Sequence, residues 1–140
     1  MYTDIQTEGE AAVGLLLSSV ADGQENLTQA HIETISRILV LCTRFRGQDM
    51  NEAFKKVFTI QQESDKNDFI VYCAALIKED FADTLFTMCC ETALADGSWK
   101  DSYGETLATI GIALQLSTED IKMIIRTYII RNRWNIQVEQ

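Results

Sequence analysis

Apolar residues recur at helical spacing along almost the whole of this 140-residue chain, and the chain contains no proline. Apolar side chains spaced in this way form a stripe along one side of an α-helix, and proline is the residue that most strongly interrupts helices. The pattern therefore predicts an all-α protein. Because the length is typical of a single domain, we expect residues 1–140 to fold around one core.

Helix-end signals divide the pattern into about seven helices, three of them in the first half of the chain. The first is predicted over residues 4–21, with Gly23 as its left-handed C-terminal residue. The second follows Thr28 as N-cap and carries the buried residues as far as Cys42. The third begins at a capping-box spacing, Asp49 to Glu52.

The second half of the chain predicts four more helices. The uncharged run FIVYCAALI indicates a buried helix, with a strand as the alternative. The other three are an amphipathic helix from Asp80 to the Asp96-Gly97 pair, a helix opened by a capping box from Ser102 to Glu105, and a helix opened by the STED sequence at 117–120. Residues 132–140 form a short C-terminal tail.

Charge and hydropathy argue against nucleic-acid binding and against insertion into a membrane. The net charge is −9 and no dense cluster of Lys and Arg is present, so we expect no nucleic-acid partner. The first ten residues, MYTDIQTEGE, lack the basic and apolar regions of a secretory signal, and no apolar run is long enough to span a membrane. These features predict a cytoplasmic protein that does not insert into membranes.

Few residues suit catalysis. The one histidine, His31, is predicted to be an exposed residue in the first turn of the second helix. Arg44 and Arg46 are predicted to lie in the last turn of that helix, where they would suit its dipole. The four cysteines lack zinc-type C-x-x-C spacing and are expected to be small core residues. We therefore expect a protein that is not an enzyme.

An internal repeat links the two halves of the chain, residues 10–46 and 80–116. Each copy has an apolar helix, an Ala-Asp-Gly turn with further acids, and a Glu-Thr-aliphatic sequence that opens the next helix. The matching positions are Asp22 with Asp96 and Glu33 with Glu105. The repeat predicts two helical hairpins that cover each other's apolar faces around central apolar helices.

The acidic turns admit two interpretations. Carboxylates between helices offer oxygen ligands to a divalent cation, and the two candidate ligand sets are Asp22, Glu25 and Glu33 in the first copy and Asp96, Asp101 and Glu105 in the second. An EF-hand is excluded, because Leu27 stands where that loop requires glycine. The same acids also suit helix caps, since negative charge near a helix N-terminus is favourable without any ion.

The paired Ala-Asp-Gly turns, the aliphatic helix after each, and LQLSTEDI before the last helix resemble the TerB-like family of tellurite-resistance proteins. The resemblance extends from about Glu10 to Tyr128. It implies an all-helical fold and a non-enzymatic role in stress or tellurite response. It also implies divalent cations held by the six acids of the two ligand sets, and partners that include a membrane-integrated Ter component.

Two functional hypotheses follow. In the first, a TerB-like protein presents its acidic turns to a partner protein and binds a divalent cation, Ca²⁺, Mg²⁺, Zn²⁺ or Mn²⁺, which folding does not require. In the second, the protein is a metal-free helical interaction module, like TerB-like domains of co-chaperones, and its acids are helix caps. The hypotheses differ in whether the carboxylates converge on one point.

Overall fold

The computed structural model describes residues 1–20 and 27–139, which fold as an all-α protein with seven helices, as predicted. The helices are α1 Glu8–Ser18, α2 Gln29–Leu41, α3 Met50–Glu63, α4 Lys66–Ala75, α5 Glu79–Ala93, α6 Asp101–Ala113 and α7 Thr118–Arg131. Short 3-10 turns occupy Tyr2–Asp4 and Thr43–Phe45. The predicted turn residues from Ala21 to Gly23 lie outside the described part of the chain.

Helix α1 is the centre of the fold. Nine of its eleven residues are buried, and it packs against α3, α4 and α5. The prediction that this helix begins at Asp4 was wrong. Thr7 is the N-cap, because its side chain accepts a hydrogen bond from the Glu10 backbone N–H while the Glu10 carboxylate accepts one from Thr7 N. This capping box fixes the start of α1, and the preceding residues form a separate 3-10 turn.

Helix α4 crosses α1 at very short range. A Cβ built on Gly14 of α1 would lie 2.8 Å from Cys73 Sγ and 3.0 Å from the Phe69 ring, so only glycine fits this crossing without adjustment. The helical interpretation of FIVYCAALI is confirmed, although the helix begins earlier, at Lys66. The expectation that the whole helix is buried was wrong, since one side faces solvent and Val71 is 60% exposed.

Side-chain caps explain where several helices begin, whereas α5 and α6 begin without one. The side chains of Thr28 and Asp49 accept the N-terminal hydrogen bonds of α2 and α3, as predicted, and Ser117 caps α7 at the STED sequence. The predicted capping box from Ser102 to Glu105 was wrong. Helix α6 begins at Asp101, and its N-cap residue, Lys100, makes no side-chain capping bond.

Arg44 connects distant elements. Helix α2 ends at Leu41, so the placement of Arg44 and Arg46 in its last turn was wrong. The guanidinium donates hydrogen bonds to Glu8 of α1 and to Asp80 of α5, and it lies 4.8 Å from the centre of the Phe81 ring. The Glu8 carboxylate also accepts from the backbone N–H of Lys78. One arginine thus joins the starts of the central helix and of α5.

The C-terminal tail returns to the second Ala-Asp-Gly turn. Residues Ser98–Lys100, strand β1, pair in parallel with Gln137–Glu139, strand β2. The pairing begins at the turn itself, where Gln137 N donates to Gly97 O at 2.8 Å. No helix in the described part of the chain is sufficiently long and apolar to cross a membrane.

Candidate functional site at the second acidic turn

The second Ala-Asp-Gly turn is stabilised by its own aspartate. Gly97 has φ of +79°, the left-handed conformation predicted for it, and its N–H donates to Leu94 O. Asp96 Oδ1 accepts hydrogen bonds from Ser98 N at 3.1 Å and from Ser98 Oγ at 2.9 Å. This arrangement is an Asx-type turn, in which a carboxylate replaces a backbone acceptor.

His31 lies against this turn, and the prediction that it is exposed was wrong. Its side chain is 0% exposed, and Nε2 lies 3.7 Å from Asp96 Oδ1. At the other side of the ring, Nδ1 accepts a hydrogen bond from Thr28 N at 3.1 Å, which completes the capping box of α2. A neutral ring that accepts at Nδ1 carries its proton on Nε2, so an N–H group faces the Asp96 carboxylate.

The His31–Asp96 contact joins the two predicted repeats. His31 belongs to the copy at 10–46 and Asp96 to the copy at 80–116, and the helices that carry or precede them, α2 and α5, pack together. The contact is longer than a hydrogen bond, so its main contribution is the electrostatic match between a buried N–H group and a half-buried carboxylate.

The other predicted ligands face solvent. Glu33 is exposed on α2, where it accepts from Gln29 Nε2 at 3.4 Å. Asp101 and Glu105 are exposed at the start of α6. Asp22 and Glu25 lie outside the described residues. Within residues 1–20 and 27–139, no group of three His, Cys, Asp or Glu side chains is placed to hold a metal ion. Cation binding stays a prediction.

The cysteines offer little nucleophilic chemistry. Cys73, Cys89 and Cys90 are buried, as expected for core residues, and burial raises the pKa of Cys73 and Cys90 to about 12. Thiols with such a pKa are almost entirely protonated at neutral pH and are poor nucleophiles. Cys42 differs from the prediction, because it follows α2 and is only half-buried.

His31 was missed as a site residue, although the sequence contains a signal for it. Thr28 and His31 have the spacing of a capping box, with imidazole in the place of the usual Glu or Gln. The repeat gives a second signal. His31 stands two residues before Glu33, and Tyr103 stands two residues before Glu105, so the two are equivalent positions. Both are buried, and the Tyr103 ring packs edge-on against Trp99.

Three comparisons with known proteins found no match: no protein-family model, no curated protein and no solved structure is similar to this chain at a significant level. The resemblance to TerB-like proteins therefore stays a prediction from the repeated turns. The geometry of the second turn, in contrast, follows directly from the contacts of Asp96 and His31.

Proposed function

We propose that this protein is a non-enzymatic, TerB-like interaction module whose second acidic turn is a structural joint between the two halves of the domain. In this proposal the protein acts by binding other proteins. Its acidic residues cap helices, stabilise turns and keep the protein soluble. The predicted context of stress or tellurite response, and a membrane-integrated Ter component as partner, belong to the same proposal through the resemblance alone.

The observation that carries the proposal is the position of Asp96 Oδ1. This oxygen accepts two hydrogen bonds from Ser98 and lies 3.7 Å from His31 Nε2. A cation bound to it would face the positive end of the Nε2–H bond in a buried setting, which is electrostatically unfavourable. The carboxylate is thus better suited to an internal contact than to metal binding.

A non-enzymatic role is supported by the state of the reactive side chains. The one histidine of the chain is fully buried, and its Nδ1 is engaged in a helix cap. A general base must reach the proton that it removes, and this ring is enclosed by protein. The buried thiols have raised pKa values, so they do not provide an activated nucleophile.

The proposal is tested by thermal unfolding after chelation, followed by titration with Ca²⁺, Mg²⁺, Zn²⁺ and Mn²⁺. A native cation site filled at 100 times its dissociation constant would add about 2.7 kcal/mol to the free energy of unfolding. We expect no selective rise in Tm with any of the four ions. A selective rise that is lost in Asp96→Asn or Asp22→Asn would overturn the structural assignment and support the cation hypothesis.

A matched variant distinguishes a general effect of charge from direct binding of a cation by Asp96. Asp83→Asn removes the same charge from an exposed position on α5 and should respond to every ion as the wild type does. Asp96→Asn is expected to lower Tm without any ion, because the amide removes the negative charge that faces the His31 Nε2–H group, although its oxygen can still accept the hydrogen bonds of the turn. The expected loss is about 1 kcal/mol, the usual scale for one partly buried polar contact.

A further inference from the structure

Helix α7 carries an apolar strip with basic edges, which we call the α7 strip. Ile125, Ile129 and Ile130 line a shallow groove of about 370 Å³ along the outer side of the helix, and Lys122, Arg126 and Arg133 flank it. The opposite side of α7 packs against α5 and α6. Ile130 is 48% exposed, so the strip presents apolar surface to solvent.

The cations of the α7 strip are not neutralised by ion pairs with the described residues. Within the described residues, none of its three flanking cations forms an ion pair, although the chain carries 21 acids against 12 cations. Ile130 is exposed and Ile125 and Ile129 are half-buried, so the cations stand beside partly exposed apolar surface, which suits an acidic, partly apolar partner.

A second surface of the same chain carries negative charges, opposite in sign to those of the α7 strip. A groove of about 550 Å³, which we call the α4–α5 groove, is lined by apolar residues that include Val71, Ile77 and Leu116. Glu79, Asp83 and Asp120 stand at its edges and are exposed. In the described part of the chain these three carboxylates also lack an ion-pair partner.

We propose that the α7 strip of one copy docks into the α4–α5 groove of a second copy. The helix would place Ile125 and Ile129, spaced four residues apart, into a groove whose lining combines apolar and acidic side chains, in a form of helix-in-groove recognition. Its three flanking cations would meet the three edge carboxylates of the groove. Both surfaces contain apolar side chains, their charges are equal in number and opposite in sign, and both belong to one chain.

This inference goes beyond the proposed function, because self-association through these surfaces does not depend on whether the acidic turns bind a cation. The contact is heterologous, since it joins two different patches. Each patch can therefore be removed separately, and a chain that lacks one patch keeps the other. That property makes the contact testable with two variants and their mixture.

The test is sedimentation velocity of the purified full chain over a range of concentrations, at low and at high salt. We expect the weight-average mass of the wild type to rise with concentration and to fall when salt is added, because screening weakens exposed charge pairs. Lys122→Glu/Arg126→Glu removes the strip, and Glu79→Lys/Asp83→Lys removes the groove. Each double variant is expected to associate at least roughly tenfold more weakly than the wild type.

The decisive sample is the mixture of the two double variants. The first keeps an intact groove and the second an intact strip, so the mixture should form a one-to-one complex although neither variant associates alone. The control is Arg46→Glu/Lys55→Glu, which changes the net charge as much as the strip variant does at exposed positions outside both surfaces. It should associate as the wild type does. Circular dichroism and thermal unfolding verify that all variants are folded.

Four results would overturn the inference. The first is a wild type that stays monomeric at every concentration and salt. The second is association that survives in both double variants, which would place the contact elsewhere. The third is a mixture that remains monomeric although wild type associates, which would show that strip and groove do not bind each other. A control variant that loses association would likewise assign the effect to net charge.

Discussion

The crossing of α1 and α4 makes a sharp prediction for Gly14→Ala. The added methyl group would lie 2.8 Å from Cys73 Sγ and 3.0 Å from the Phe69 ring. Ordinary contacts between such atoms are about 3.5–4.0 Å, so the Sγ contact is about 1 Å too short. Both neighbours are buried, at 0% and 1% exposure, and have little room to move.

The expected magnitude combines two opposed terms. Overpacking a well-filled core costs about 1–3 kcal/mol, whereas replacing a helical glycine with alanine returns about 1 kcal/mol of helix propensity. We therefore expect Gly14→Ala to lower the free energy of unfolding by about 1 kcal/mol, measured by urea denaturation. For a domain of this size, the corresponding drop in Tm is about 3–5 °C.

A double-mutant cycle isolates the steric term. Cys73→Ala removes the closer of the two contacts and leaves only the Phe69 ring, so in that background the methyl group at position 14 should cost less stability than in the wild type, which gives a coupling energy of about 1 kcal/mol. Gly104→Ala is the control, because a Cβ there meets only Trp99, and its effect should add to that of Cys73→Ala within about 0.5 kcal/mol. A stabilising Gly14→Ala, or a cycle without coupling, would refute the close crossing.

Two further predictions concern acid stability and thiol reactivity. Burial raises the pKa of the Glu8 carboxyl, but hydrogen bonds from Arg44 and from a backbone N–H outweigh this effect and hold the pKa below its ordinary value of 4.5. The stability that this shift provides is present above about pH 4.5 and is lost as pH falls through the lower folded-state pKa of Glu8. Urea titrations should therefore show that Arg44→Gln destabilises the protein more at about pH 7 than at about pH 3. A pH-independent effect would contradict this account. In the native protein, Cys42 should react with a colorimetric thiol reagent long before the three buried cysteines, which should react only on unfolding. Fast labelling of Cys73 in the folded state would contradict the packing of α4.

Helix identity could be predicted from the sequence because the deciding interactions are local. The caps at Thr28 and Asp49 involve only the three residues that follow each of them, and these starts were predicted correctly. The start of α6 was not, because Lys100 belongs to strand β1, whose partner strand lies at the end of the chain. Lys100, an extended residue held by that pairing, is the N-cap instead of Ser102, two residues later, where the capping box was expected.

The candidate site shows the same division between local and distant causes. The sequence located Asp96 in a turn and predicted the left-handed Gly97 beside it, since both depend on the turn alone. It did not predict the neighbour of Asp96, because the burial of His31 is decided by a turn from the other half of the chain. Arg44 illustrates the point as well, with partners on α1 and α5 that no local pattern reveals.

The central position of α1 has a consequence for synthesis of the protein. Helix α1 ends at Ser18, whereas the helices that cover it, α3 to α5, are complete only at Ala93. At about 5–20 residues per second, a ribosome needs roughly 4–15 s to make the intervening chain. During that interval a helix with apolar residues on all sides has no permanent neighbour. Helix α1 is thus made before any of the helices that bury it, and its apolar surface lacks their cover until they are made.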